Sequence, residues 1–495
     1  MAESARESEP LLGGTATPKI DETQGNVDET EIKPSWNDRL QEGKVLLQYT
    51  APVYAANMLE RFLMTATMVS VGHLSTDALA ATALGSTIAS MTGWSIAHGF
   101  AGGLDGLLPQ AWTTEHPQNV GLWTQRMVIA MGLVVIPILV IWNNAEYFLL
   151  ALSQEPERAR LAGIYLRWSS LGLPAYCFNI IIQRYFQAQG LMHVSSRILG
   201  IIAPINALLN WLLVLGPQPF RLGFIGAPIA TSISFNLISV CSILYGFLYT
   251  SGLAWHPIGR RSFQSLGSVF RLGMAGTGQI AAGWWSWEFV GLAASQLGPV
   301  PLAAHSILLS SAAISFQAPY SLTASTTVRI GNFLGSGRGK RARTAAEVSL
   351  LLSLLFAICV GLVFFIFRVH WGYIFSNDEV VVRLVGDMMP LVAVYQIVDG
   401  ASVVAGGALR ARGKTSLGAL ITLTTFYVIG IPLGFYLAFS WNMSLYGLWI
   451  GLACALCYSA AVSTYVILRT DWVKEALYIG NRVEADKRSR DVVHV

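Results

Sequence analysis

From residue 45 onward the chain alternates apolar stretches of about 20 residues or more, the length that crosses a hydrocarbon core as a helix, with short polar breaks. Twelve such stretches are predicted, at 46–70, 78–108, 123–143, 160–186, 194–215, 224–249, 267–296, 301–324, 345–367, 384–408, 416–439 and 445–468. The second, fourth and seventh are longer than a bilayer requires and should tilt or bend. The pattern predicts an all-α polytopic membrane protein with twelve transmembrane helices. An even count puts both termini on one side.

Residues 1–44 are a different material, rich in Glu, Asp, Thr, Ser and Gly, and cannot bury enough surface to offset the entropy of ordering. They read as a disordered tail with no apolar signal segment, so the first span directs insertion. Within it, Glu7-Ser8-Glu9-Pro10-Leu11-Leu12 resembles an acidic dileucine sorting signal read by a vesicle adaptor, a similarity that chance also produces. Composition sharpens the membrane reading. Of 495 residues, 53% are hydrophobic and only 12% charged, about half the usual share of a soluble protein, and mean hydropathy is +0.52. The net charge of +4 gives no argument for nucleic acid. The five cysteines, Cys177, Cys241, Cys359, Cys454 and Cys457, fall in apolar runs and read as small buried hydrophobes, not a disulfide framework.

Basic residues, among them Arg126, Arg197, Arg260, Arg261, Arg338, Lys340, Arg341, Arg412 and Lys414, gather in the loops on the tail side. Far fewer, chiefly Arg158, Arg221, Arg368 and Arg383, lie opposite. By the positive-inside rule both termini are expected in the cytosol.

The two halves repeat. Gln187-Ala188-Gln189-Gly190 corresponds to Arg410-Ala411-Arg412-Gly413, and 413 − 190 = 223; His73-Leu74 before Ala78-Leu79-Ala80-Ala81 matches Gln296-Leu297 before Pro301-Leu302-Ala303-Ala304 at the same offset. Because the offset spans six helices, the copies share an orientation, which implies two pseudo-symmetric six-helix bundles. The expected domains are a cytosolic tail at 1–44, an N-terminal bundle at 45–250, a linker at 251–266, a C-terminal bundle at 267–469 and a cytosolic tail at 470–495.

Several ordered motifs resemble the multidrug and toxin extrusion (MATE) transporters in their eukaryotic branch. Val71-Gly72-His73-Leu74 resembles "VGHLG", with Ser75 for the last Gly. Gly103-Leu104-Asp105-Gly106-Leu107-Leu108-Pro109-Gln110-Ala111 is similar to "ALDTLCGQA". Tyr165-Leu166-Arg167-Trp168, Gly172-Leu173-Pro174-Ala175-Tyr176 and Phe186-Gln187-Ala188-Gln189-Gly190 resemble "YLRW…GLPAY…FLQAQG". Trp284-Trp285-Ser286-Trp287-Glu288 resembles "EWWSFE", with Gly283 in place of its first acid, and Val328-Arg329-Ile330-Gly331-Asn332 resembles "VRVGN". The resemblance covers roughly 45–470.

An ionisable group at bilayer depth is costly, so each one is a functional candidate. Glu60, Asp105, Glu288, Asp387 and Asp399 are the acids. Glu288 sits in span 7 beside Trp284, Trp285 and Trp287, a setting that suits a flat cation, and the resemblance places it in the substrate chamber; an anchor between helices is the other reading. Asp399, by resemblance, occupies the family's proton or cation site in the second lobe. His305 stands where the family usually has Gln, and an imidazole with an ordinary pKa near 6.5 is equipped to replace the missing acid, unless it only packs. Glu60, followed by Arg61, is a first-lobe protonation site or half of a local ion pair. Glu288, Asp399, His305 and Glu60 are thus the proton-coupling candidates. Trp284, Trp285, Trp287, Asn57, Tyr176 and Asn179 are the substrate-binding ones. Gln183, Asn206 and Asn210 are further polar residues able to face the cavity; for these and for Asn57 and Asn179, a hydrogen bond between helices is the other reading, and the commoner one. Asp105, Gln110, Arg329 and Asn332 form a structural motif that closes the cytosolic side.

No nucleotide-binding loop, nucleophile elbow or metal-site spacing appears, so the chain reads as neither an enzyme nor an ATP-driven pump, with no cofactor and no metal. The resemblance implies a secondary active antiporter, a monomer in the bilayer, exporting organic and often cationic compounds by alternating access in exchange for protons rather than sodium. The alternatives are a lipid-carrier flippase of similar architecture and a non-transporting interaction protein. The vacuolar or lysosomal membrane and the plasma membrane are both compatible locations.

Overall fold

Apolar side chains at bilayer depth leave the backbone no water to bond, and the chain answers with helix throughout. The computed structural model describes residues 35–491, so the Glu7 to Leu12 segment lies outside the described residues. Twelve spans follow in order: α1 (Trp36–Gly72), α2 (76–112), α3 (Asn119–Asn143), α4 (156–188), α5 (His193–Leu215), α6 (Gly223–Tyr249), α7 (Leu266–Gln296), α8 (Pro299–Gly335), α9 (Gly339–Ile374), α10 (Glu379–Ala411), α11 (Thr415–Ser440) and α12 (Ser444–Leu468). A further helix, α13 (Trp472–Asp491), follows. Among the described residues there is no strand. All twelve predicted spans have their helix, and the twelve helices form two six-helix bundles, α1–α6 and α7–α12.

The differences from the sequence reading lie at the ends. Helix α1 begins at Trp36, inside the segment read as tail, because Ser35 and Asp38 close a capping box there. Its first turns, ahead of the apolar stretch, place Arg39 and Glu42 against the other bundle. The C-terminal tail likewise starts with a helix, held because Trp472 is buried and Glu475 pairs with Arg412 and Lys414. Helix α4 breaks at 170–172 and restarts at Leu173-Pro174, where a proline without an N–H is tolerated in the first turn. Three of the five cysteines, Cys359, Cys454 and Cys457, are exposed on the outer surface, not buried as the apolar runs suggested; all five are free.

The repeat is visible in the backbone. Gly190 after α4 and Gly413 after α10 both take the left-handed conformation, at φ +79° and +73°, and both donate back to the residue three before, Gln187 and Arg410. Helices α5 and α11 both end in a π-helical turn, at Trp211–Leu215 and Tyr436–Ser440.

The bundles meet through α1 against α8 and α2 against α7. Small residues permit the closest approach. The Gly99 backbone lies so near α7 that a Cβ there would stand 2.5 Å from Thr277 Cα, and one on Gly103 would stand 2.8 Å from the Leu272 carbonyl carbon. Among the described residues, hydrogen bonds between bundles reach outward no farther than Arg61 to Gln317 on α1 and α8, and Met91 to Trp285 on α2 and α7. Beyond them α1 continues about 16 Å and α2 about 22 Å without such a bond, at 1.5 Å per residue. The halves are therefore tied on the side of the termini and part toward the other side, enclosing a cleft.

Candidate transport cleft

The floor of the cleft is built where α2, α4 and α10 converge. Asp105, near the terminal-side end of α2, accepts from Arg184 Nε of α4 at 2.9 Å and from Arg410 Nε of α10 at 2.9 Å, one carboxylate oxygen to each. It thus joins the two bundles through a nearly buried Arg–Asp–Arg group. Beside it, Gln110 Nε2 donates to the Ala411 carbonyl at 2.6 Å and Thr113 donates to the Asn332 carbonyl at 2.9 Å. The Asn332 side-chain oxygen is buried with no partner among the described residues. Arg329 turns instead to Glu42 of α1, with paired contacts of 2.8 and 2.6 Å, a fork geometry that fixes orientation as well as charge. Above the floor lies a cavity lined from both bundles by Asn57, His98, Gln183, Gln187, Tyr320 and Thr327 among others. Asn57 reaches across the cleft to Ser321 at 2.9 Å.

A second pocket opens inside the first bundle and shares Gln183 with the cleft. Glu60, Tyr176 and Asn179 all line it, with the Tyr176 hydroxyl against the carboxylate. Arg61, the alternative partner of Glu60, sends its guanidinium to the Gln317 side-chain oxygen at 2.8 and 2.9 Å. Asn179 is bonded within the bundle, to the Phe235 carbonyl and to Ser239. Asn206 and Asn210 are fully buried and bond to Ser234 and to each other between α5 and α6.

The three tryptophans of α7 do not form one cluster. Neighbouring helix positions are separated by about 100°, so each takes a different environment. Trp284 faces the cleft, its ring 5.5 Å from His98. Trp285 points at α2, its Nε1 donating to the Met91 carbonyl at 2.9 Å and contacting Ser95 Oγ at 3.1 Å, where a π-helical turn frees the carbonyl. Trp287 packs in the second bundle against Tyr395 and Trp449. Glu288, half-buried, makes no hydrogen bond or ion pair among the described residues. At Gly283, where the resembling motif has an acid, a side chain would meet the Phe426 ring at 3.5 Å.

Asp399 is buried in α10, 7% exposed and without an ion pair among the described residues. One turn before it, Tyr395 packs on Trp449 at 5.5 Å, and Trp449 packs on His305 at 6.1 Å. The His305 ring is 2% exposed, and neither ring nitrogen has a partner among the described residues; the same holds for the indole nitrogen of Trp449. Asp399 and His305 therefore belong to one second-bundle region, linked through two aromatic rings.

Sequence reading passed over His98, Arg184, Arg410 and Glu42. In the sequence Arg410 enters only through the repeat, and Glu42 only as part of the 1–44 segment. The available signal was spacing: Arg184 lies three residues before Gln187, whose repeat mate is Arg410, so both cations fall on helix ends that the repeat brings to one level.

The sequence model of the MatE family matches residues 52–212 and 278–436. An uncharacterized transporter of Schizosaccharomyces pombe is 34% identical over 427 residues, covering 86% of this chain and 80% of the relative. Multidrug and toxin extrusion protein 1 of Homo sapiens is 29% identical, covering 88% and 76%. Among solved structures, the crystal structure of the eukaryotic MATE transporter AtDTX14 superposes with a TM-score of 0.84 at 31% identity, covering 90% of this chain and 99% of that one.

Proposed function

The chain belongs to the MatE family of transporters, and from that premise we propose that it is a secondary antiporter, exporting small organic compounds in exchange for protons by alternating access. The observation that carries the reading is the cleft: two bundles tied at one end, open toward the other, over a polar and aromatic floor. With both termini in the cytosol, as the loop charges favour, the present arrangement is outward-facing, and the Asp105–Arg410 and Glu42–Arg329 pairs are the cytosolic closure.

In this mechanism the bundles rock about the cleft. Asp399 and His305 in the second bundle and Glu60 in the first are the groups proposed to exchange protons, and Trp284, Tyr176 and Asn57 to contact substrate. Substrate and proton compete because protonating a carboxylate removes a charge that otherwise biases one arrangement, and only such differential binding shifts a population. Glu288 stands in this proposal as an outer-cleft acid. The proposed location is the vacuolar or lysosomal membrane or the plasma membrane, with the chain acting as a monomer.

The test is uptake of a fluorescent organic cation and of an uncharged dye into proteoliposomes under an imposed pH gradient. The unaltered chain should respond to the gradient, and Asp399→Asn should abolish the response. Uptake that ignores the gradient would remove proton coupling from the proposal. Scrambling of labelled lipid in the same vesicles, without dye uptake, would move the flippase reading ahead.

A further inference from the structure

The floor of the cleft has an unbalanced charge. Within the ion-paired group, Arg184 and Arg410 carry two positive charges against one on Asp105. Arg329 is matched by Glu42, Glu60 faces the neighbouring pocket of the first bundle, and Arg61 is exposed and turned to Gln317. Donors are also left over. Arg184 spends Nε on Asp105 and Nη1 on the Ile180 carbonyl; Arg410 spends Nε on Asp105. Among the described residues Arg184 Nη2 and both Nη atoms of Arg410 have no hydrogen-bond acceptor, and both residues line the cavity. Around them stand further side-chain donors, those of Asn57, Gln183, Gln187 and Tyr320, and no second carboxylate lines this cavity. The rings of His98 and Tyr320 line the same cavity, with Trp284 and Tyr176 packed against His98.

A buried cation left without a counterion is costly, and planar guanidinium groups match the two oxygens of a carboxylate or sulfonate. We infer that the cleft floor is an anion-binding site, which takes the carboxylate or sulfonate end of a flat, aromatic organic substrate between Arg184 and Arg410, its ring system lying against His98 and Tyr320. This rests on the reading that the cleft carries substrate, and it replaces the organic cation as the expected class. Gln187 is the repeat mate of Arg410 and lines the same cavity, so the asymmetry that makes the site cationic is a difference between the two copies.

The experiment is equilibrium binding of two probes of like shape and opposite charge, naphthalene-1-carboxylate and 1-naphthylmethylammonium, to the purified full chain in detergent. The unaltered chain should favour the carboxylate by tenfold or more. Arg410→Gln should weaken carboxylate binding at least tenfold, whereas Asp105→Asn, which breaks the same ion pair but raises the local charge, should strengthen it about threefold. Gln187→Glu leaves every ion pair in place and adds a carboxylate to the cavity, so it should also cost tenfold and serves if Arg410→Gln does not fold. Preference for the ammonium probe overturns the proposal, as does parallel loss in Arg410→Gln and Asp105→Asn, the signature of a purely structural pair. Because no gradient is applied, failure here is distinct from failure of proton coupling, which the liposome assay reads separately.

Discussion

Replacing Gly99 with alanine tests whether the α2–α7 contact belongs to only one of two arrangements. The added Cβ would stand 2.5 Å from Thr277 Cα and 3.1 Å from its nitrogen, whereas ordinary contact begins at 3.4 Å. The helices must therefore separate by about 0.9 Å, the difference of those two distances, because backbone atoms have no rotamer to yield. Overpacking of this kind costs about 1–3 kcal/mol. The penalty falls only where the bundles touch, so it acts as a bias against the present state. At about 2 kcal/mol, an opposite-facing population of about 1% would rise to about 20%. Spin labels at Gln118, in the α2–α3 loop, and Arg341, at the start of α9, report the separation on the terminal side by electron double resonance, with the five native cysteines removed. Gly99→Ala should add a longer-distance population. Gly132→Ala is the control, since a Cβ there meets nothing within 4 Å. A distance distribution identical in Gly99→Ala and the unaltered protein would refute the argument.

Two further outcomes are expected. Gly190→Ala and Gly413→Ala each place a side chain at positive φ and should each cost about 1–2 kcal/mol; thermal unfolding that finds one harmful and the other neutral would deny that the two caps are equivalent. Trp472→Ala removes a 3% exposed side chain from the apolar cluster it shares with Ile330, Phe333, Ala342 and Ile467 and should destabilise by about 3–5 kcal/mol. An unchanged midpoint there would show that α13 is not part of the folded unit.

Spans and repeat were legible because both are periodic. Twenty apolar residues carry their own boundary signal, and the duplication holds one offset of 223 at the two motif pairs compared. The cleft floor was legible only in part. Asp105 stood out as an acid near bilayer depth, but its partners Arg184 and Arg410 come from α4 and α10, and nothing local in either helix says they share a carboxylate. Glu42 was lost because its segment has the composition of a tail, while its place is set by Arg329, almost three hundred residues away. The Trp284, Trp285 and Trp287 run shows the opposite limit: a conspicuous string in sequence is dispersed by the pitch of its helix.

The two ends of the folded chain are anchored to the same bundle by different means. Helix α13 is fixed to the second bundle through Trp472 and the Glu475 pairs with Arg412 and Lys414. The first turns of α1, though covalently part of the first bundle, hold the second by Arg39 to Glu347 and Glu42 to Arg329. Rocking must tear the latter contacts and leave the former intact. Fluorophores fused to the N and C termini would consequently form a ruler between the bundles: energy transfer should fall when the cleft closes on the far side, giving an optical readout of turnover in intact membranes without a label inside the protein.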